Sequence, residues 1–172
     1  MYVWGRNLLL PDDCSTLRFH PRCPRGRERC PALIAAMYQL TGSDLVAIQR
    51  VYFNDQGEKL GAMMLGPVGG TAMKLSPHQG PRLFICEGLE TGLALLQMGY
   101  APQWALGSCG AIERMPVLPA VTELVICADH DPPGTKAAEA CAQRWNANHK
   151  RARIRVSPIE GRDFADDLGA AS

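Results

Sequence analysis

From residue 83 onward the chain alternates short apolar runs with stretches of helical period. Leu83-Phe84-Ile85-Cys86 and Leu124-Val125-Ile126-Cys127-Ala128 are unbroken apolar runs bounded by turn chemistry. They are too short for helices and read as strands buried on both faces. Gln103–Leu106 is a weaker strand and Arg153–Val156 a fourth. Between them, Glu90–Met98 reads as a short helix with Leu93, Leu96 and Ala94 inward, and Ala111–Met115 as a helical turn. Gly134–His149 is the clearest helix. Its Ala137, Cys141 and Trp145 fall four apart on one face, with Lys136 and Arg144 on others. Asp163–Leu168 closes the pattern as a terminal turn or helix. This alternation predicts an α/β fold with a parallel sheet and crossover helices.

Before residue 80 the pattern is different. Leu45–Phe53 alternates as a half-buried strand does, between the turn sequences Thr41-Gly42-Ser43-Asp44 and Asn54-Asp55-Gln56-Gly57. Pro31–Gln39 could open a short helix, but Leu33, Ile34, Met37, Val46, Ile48 and Val51 fit a mostly β region better. Gly66-Pro67-Val68-Gly69-Gly70 has the glycines of a phosphate loop without its Gly-Lys-Ser/Thr ending. It precedes a further strand, Thr71–Leu75, so a turn is predicted. Residues 1–30 carry little periodicity and read as solvated loop, punctuated by Pro11, Pro21, Pro24 and Gly26. Ser76-Pro77-His78-Gln79-Gly80-Pro81 marks the expected boundary between a small α+β or mostly β domain, residues 1–80, and an α/β domain, residues 81–172.

With 172 residues, 47% hydrophobic and 20% charged, the chain is globular rather than disordered. Its net charge of +1 creates no global field, so attraction to a nucleic acid must come from local patches. Arg18, Arg22, Arg25, Arg27 and Arg29 crowd against Glu28 alone. They form either a solvated face or a phosphate-backbone contact, for which clustered Arg is suited. Lys136, Arg153 and Arg155 divide the same way between solvated positions and substrate clamps. The seven cysteines come without a secretory signal, since Leu8-Leu9-Leu10 is short and meets Pro11 at once. Cys86 and Cys127 lie inside apolar strands, where free Cys acts as a small hydrophobe, and the reading is a cytoplasmic protein without a membrane span. Cys14, His20, Cys23 and Cys30 lack the paired Cys-x2-Cys spacing of zinc modules. Trp104 and Trp145 read as core, and Ser108 and Cys109 lack the partners a nucleophile needs.

The chemistry lies where the two main runs stop. One ends on Glu87-Gly88, the other on Asp129-His130-Asp131. Open α/β sheets place ligands at the carboxyl ends of their strands. Three carboxylates gathered there repel one another unless a cation lies between them, and all-oxygen ligation suits Mg²⁺. Asp129 and Asp131 can both face a metal only if the backbone leaves the strand at that point; His130 then points elsewhere and Gly134 lets the chain turn into the helix. Taken singly, each acid has another reading. Glu87 could sit against a helix macrodipole, and Asp129 or Asp131 could cap the helix before Gly134-Thr135-Lys136.

This ordered set resembles the Toprim domain, the catalytic module of bacterial-type primases, type IA and type II topoisomerases, overcoming-lysogenization-defect-type nucleases and small recombination proteins. Gly161-Arg162-Asp163-Phe164-Ala165-Asp166-Asp167-Leu168 resembles the Gly-Lys-Asp-x-Asn-Asp-Leu tail of primase-type members, with Ala165 at the asparagine. Leu17-Arg18-Phe19-His20-Pro21, Pro31-Ala32-Leu33-Ile34, Gln49-Arg50-Val51-Tyr52 and Met64-Leu65-Gly66-Pro67 resemble the region before Toprim in plasmid- and phage-borne primase/helicase proteins. The resemblance implies a Rossmann-like parallel sheet flanked by helices. It implies Mg²⁺ or Mn²⁺ held by Glu87, Asp129, Asp131 and Asp163, with Glu87 a second-metal ligand or a general acid/base. A further acidic position of primases, four residues after the glutamate, is Thr91 here, and Glu90 is one residue off.

The implied activity is primer synthesis, a nucleotidyl transfer from nucleoside triphosphates on single-stranded DNA in plasmid or phage replication. Arg18, Arg22, Arg25 and Lys136 would be phosphate contacts, with a replicative helicase supplied in trans. A Toprim nuclease that hydrolyses phosphodiesters is the alternative, and a non-catalytic nucleic-acid-binding module is a third. Against the family's architecture the chain looks like a truncated, split or minimal member.

Overall fold

The apolar runs become the middle of one sheet. A computed structural model of the chain describes residues 8–11 and 14–170; residues 1–7, 12–13 and 171–172, the outer ends of the two expected domains among them, lie outside the described residues. The strands are β1 (Leu17–Arg25), β2 (Glu28–Gln39), β3 (Leu45–Phe53), β4 (Lys59–Leu65), β5 (Thr71–Lys74), β6 (Arg82–Cys86), β7 (Gln103–Ala105), β8 (Glu123–Ala128) and β9 (Arg151–Val156). The helices are α1 (Leu89–Gln97), α2 (Cys109–Glu113), α3 (Pro132–Ala147) and α4 (Phe164–Ala170). Among the described residues the strands join in the order β4-β3-β2-β5-β7-β6-β8-β9, with β1 on β2.

The second half is the parallel, helix-crossed α/β sheet that the alternation predicts. β6, β7, β8 and β9 run parallel, with Cys86 beside both Ala105 and Cys127. Leu83, Ile85, Leu124 and Ile126 pack with Ala137, Ala138, Cys141 and Trp145 of α3 on one face. Phe84, Cys86, Val125 and Cys127 pack with Leu93, Ala94 and Leu95 of α1 on the other. Burial on both faces is why these strands read as unbroken apolar runs. α3 starts at Pro132 rather than Gly134, because Asp131 caps it and Pro132 and Pro133 occupy the first turn, where a missing N–H costs nothing.

The first half is an antiparallel, β-rich region. β3 matches its expected span, and Pro31–Gln39 is strand, the later part of the long β2. Residues 17–25, read from sequence as solvated loop, are in fact strand β1. Its prolines hid it. Pro21 and Pro24 cannot donate to a ladder, yet β1 lies on the open flank of the sheet and pairs with β2 alone, with a register shift between His20 and Cys23. Beyond β1 on the same flank, β2 pairs through Tyr38 and Gln39 with β5, and β5 pairs antiparallel with β7. β5 thus splices the antiparallel and parallel portions into one sheet. One apolar cluster runs across the splice, from Leu33, Met37 and Val51 to Cys86, Leu93 and Val125.

Candidate functional site

β6 and β8 are neighbours in register, so the residues after them emerge side by side. Glu87 follows β6 and Asp129 follows β8. Glu87 is held from the third strand of the sheet: its backbone oxygen accepts from Gly107 N at 2.8 Å, and its carboxylate accepts the Cys109 backbone N–H. After Asp129 the chain leaves the strand. The Asp131 N–H donates back to Asp129 O at 2.9 Å, and both carboxylates line one cleft; His130, expected to point elsewhere, lines it as well, because its ring is held toward the last loop. His130 Nδ1–H donates to Ser157 O at 2.8 Å, and His130 exchanges backbone hydrogen bonds with Gly161 and Arg162. That pairing draws the last loop over the strand ends and delivers Asp163.

The resulting cleft has a volume of about 200 Å³, with Asp129, Asp131, Arg162, Asp163 and Asp166 on its walls. Asp131 caps α3, its Oδ1 accepting from Gly134 N at 2.7 Å. Asp163 opens α4, its Oδ1 accepting from Asp166 N at 2.9 Å, while Thr91 Oγ1 donates to Asp163 Oδ2 at 3.4 Å. Asp129 makes no such bond on its inner oxygen: Oδ1 is buried without a hydrogen-bond partner. Burial, then Glu87, Asp163, Asp131 and Asp166 in that order, push the Asp129 carboxyl up to about 6. Burial and the charge of Asp131 raise Glu87 as well. Negative charge has been concentrated here beyond what the folded chain neutralises.

Among the described residues no three His, Cys, Asp or Glu side chains are grouped tightly enough to hold an ion as they stand. Asp131 and Asp163 each commit one oxygen to a helix start, which holds them apart. The donor set nevertheless fits a hard divalent cation: it is all oxygen, and the inner oxygen of Asp129 has no partner. Mg²⁺ is commonly held by one or two carboxylates, with water and substrate phosphate completing the shell, so three preformed protein ligands are not required.

The structure brings Asp129, Asp131 and Asp163 to one cleft; Glu87 does not line it, but its charge acts on Asp129 from the end of β6. The structure does not bring Arg18, Arg22, Arg25 or Lys136 to the walls of that cleft. The three arginines lie along β1, where Arg18 donates to Leu17 O and Arg25 pairs with Glu28. Lys136 is exposed on α3. Thr91 is a buried partner of Asp163, and Glu90 grips Lys59 of β4 at 2.8 Å. Four cleft residues escaped the sequence reading as site residues: His130, Gly161, Arg162 and Asp166. Asp166 carries a usable signal, because an acid three residues after Asp163 is capping-box spacing.

The sequence profile of the Toprim domain matches residues 82–172, and that of a domain of unknown function, DUF7146, matches residues 1–75. No curated protein matches the chain. Several solved structures do. A DNA primase domain from Pseudomonas aeruginosa shares 21% identity at a TM-score of 0.59, over 92% of this chain and 53% of that one. The DnaG primase catalytic domain bound to ssDNA shares 16% at 0.56, over 91% and 54%. The RNA polymerase domain of Mycobacterium tuberculosis primase DnaG in complex with double-stranded DNA shares 16% at 0.52, over 81% and 53%. At these identities the likeness is one of fold, and the chain spans about half the length of these structures.

Proposed function

Because this chain belongs to the Toprim domain family, we propose that it synthesises primers, joining nucleotides on a single-stranded DNA template in a metal-dependent nucleotidyl transfer. The observation that carries this reading is the gathering of Asp129, Asp131 and Asp163 on one cleft, with the charge of Glu87 acting on Asp129 from the neighbouring strand end and the inner oxygen of Asp129 unpartnered. The primase domains that share the fold support it, one of them described as bound to ssDNA.

Asp129 and Asp131, with Asp163 beside them, are the residues that would hold Mg²⁺ or Mn²⁺. A divalent cation there supplies charge stabilisation to the attacking and leaving oxygens of phosphoryl transfer. The remaining work falls to the chain. Glu87, pinned by the Gly107 and Cys109 backbone and raised by burial, takes the proton of the attacking hydroxyl. Arg162, the one lysine or arginine on the cleft wall among the described residues, meets the triphosphate. Residues 1–80 form the arm that holds the template, with Arg18, Arg22 and Arg25 as its phosphate contacts, and Lys136 of α3 adds a further one. Residues 81–172 carry the chemistry. The setting is cytoplasmic plasmid or phage replication, with a helicase supplied in trans; no helix among the described residues is long and apolar enough to cross a membrane.

The test incubates the full chain with single-stranded template, labelled nucleoside triphosphates and Mg²⁺ or Mn²⁺. Incorporation that Asp129→Ala abolishes is the expected result. Shortening of a labelled strand in its place assigns hydrolysis to the same site. Neither reaction with either cation overturns the catalytic reading.

A further inference from the structure

A cavity of about 370 Å³ lies apart from the acidic cleft and shares no residue with it. It opens where the approach to β1, the β2–β3 turn and the loop after β5 come together. The carboxylates lie past the carboxyl ends of β6 and β8. This cavity borders the loop that leads into β6.

Lys74 ends β5, and its side chain crosses the cavity wall. Its ammonium donates to Gly42 O at 2.6 Å and rests 4.5 Å from the centroid of the Trp104 ring, the residue paired with it on β7. No carboxylate pairs with Lys74 among the described residues. Burial lowers its pKa below the ordinary lysine range. A cation drawn partly out of water without a counter-ion is a standing electrostatic deficit that an anion would relieve.

The lining indicates which anion. Lysine binds phosphate as a point charge, whereas planar carboxylates are best matched by the fork of an arginine, and among the described residues no arginine lines this cavity. Hydroxyls of Ser15 and Ser43 stand on the same wall. Ser76 Oγ accepts from Gln103 N, which leaves its proton free to donate. The rest of the wall mixes three rings with Cys14, Thr16, Gly42, Leu75 and Pro77. Tyr38, His78 and Trp104 border the space, the last two meeting edge to face at 5.9 Å. Rings in that density suit a planar body rather than a bare ion. The volume falls at the lower end of the roughly 300–1,000 Å³ range of small-molecule sites.

We propose that this cavity is a second binding site, for a phosphate carried on a planar ring, with Lys74 as its cationic contact and the Ser15, Ser43 and Ser76 hydroxyls as its neutral donors. The ligand class is a nucleoside phosphate, either free or as the 5′ end of a strand. The site goes beyond the proposed reaction and needs no divalent cation.

The experiment is calorimetry on the full chain in EDTA with five probes: AMP, adenosine, inorganic phosphate and an oligodeoxynucleotide with and without a 5′-phosphate. AMP is expected to bind at least tenfold more tightly than adenosine or phosphate alone. Lys74→Met keeps the apolar reach of the side chain over Trp104 and is expected to weaken AMP at least tenfold. Should Lys74→Met not fold, Ser43→Asp sets a negative charge at the same wall from an exposed turn and is expected to do the same. A 5′-phosphorylated strand that outbinds AMP identifies the strand end as the source of the phosphate. AMP affinity untouched by both variants overturns the proposal. So does AMP binding lost in Asp129→Asn and kept in Lys74→Met, which would place the nucleotide in the acidic cleft. Nucleotide incorporation is measured separately, so failure here leaves the proposed reaction standing.

Discussion

Asp129 is half-buried among four other acids, and its carboxyl rises from an ordinary 3.8 to about 6. Between those values the folded chain keeps a proton that the unfolded chain has released. Stability therefore falls as pH rises through about 3.8 to 6 and stays reduced above that window. In EDTA, Asp129→Asn is expected to melt above wild type at pH 7 and to lose that advantage at pH 4; parallel melting curves across the window would refute the coupling. Mg²⁺ or Mn²⁺ added at pH 7 should raise the wild-type melting temperature and leave Asp129→Asn/Asp131→Asn unmoved. Gly134 is the second residue on which the cleft depends, and the reason is space. A Cβ there would lie 2.8 Å from Asp131 Oδ1 and 3.0 Å from the Asp129 backbone oxygen. Gly134→Ala is expected to cost about 1–3 kcal/mol by urea denaturation, as overpacking does, and to abolish the melting shift caused by the cation.

At the scale of the element, the start of α3 serves two ends. Asp131 caps the helix and also faces the cleft. Asp131→Ala should cost about 0.5–2 kcal/mol, the usual loss of a cap, whereas Asp131→Asn keeps the cap at near wild-type stability. Both are expected to lose nucleotide incorporation. An active Asp131→Asn enzyme would mean that capping is the whole role of this residue. The strand ends at Glu87 and Asp129 were legible because burial on both faces leaves an unbroken apolar run, and an acid directly after such a run stands out. β1 was not legible, since Pro21 and Pro24 read as loop punctuation and a strand keeps them only at its edge, its start or a bulge. The loop from Gly161 to Asp163 was legible only through the resemblance. What places Asp163 at the site is the backbone pairing of Gly161 and Arg162 with His130, and such pairing leaves no periodic trace.

At the scale of the molecule, the loop 76–81 separates two sequence patterns but not two cores. β5 belongs to the first half by sequence and pairs with β7 of the second. Met73 and Leu75 lie buried in the same cluster as Phe84 and Val125. The full chain is therefore expected to unfold in a single calorimetric transition, and residues 81–172 expressed alone should lack the cooperative melt of the whole. Two separate transitions would show that the splice carries little energy. The same continuity explains how an ion pair between Lys59 of β4 and Glu90 of α1 can hold the first half against the helix that follows Glu87.

Among the described residues the sheet has three open margins, and they are not equally guarded. β1 presents two prolines, which deny an incoming strand its hydrogen bonds, and β9 presents Arg151, Arg153 and Arg155, which repel a copy of themselves. β4 has neither defence, and Met63 and Leu65 are 50% and 56% exposed along it. In a concentrated solution this margin is where one chain would first add to another, so the shelf life of the protein is decided at the strand farthest along the sheet from β9.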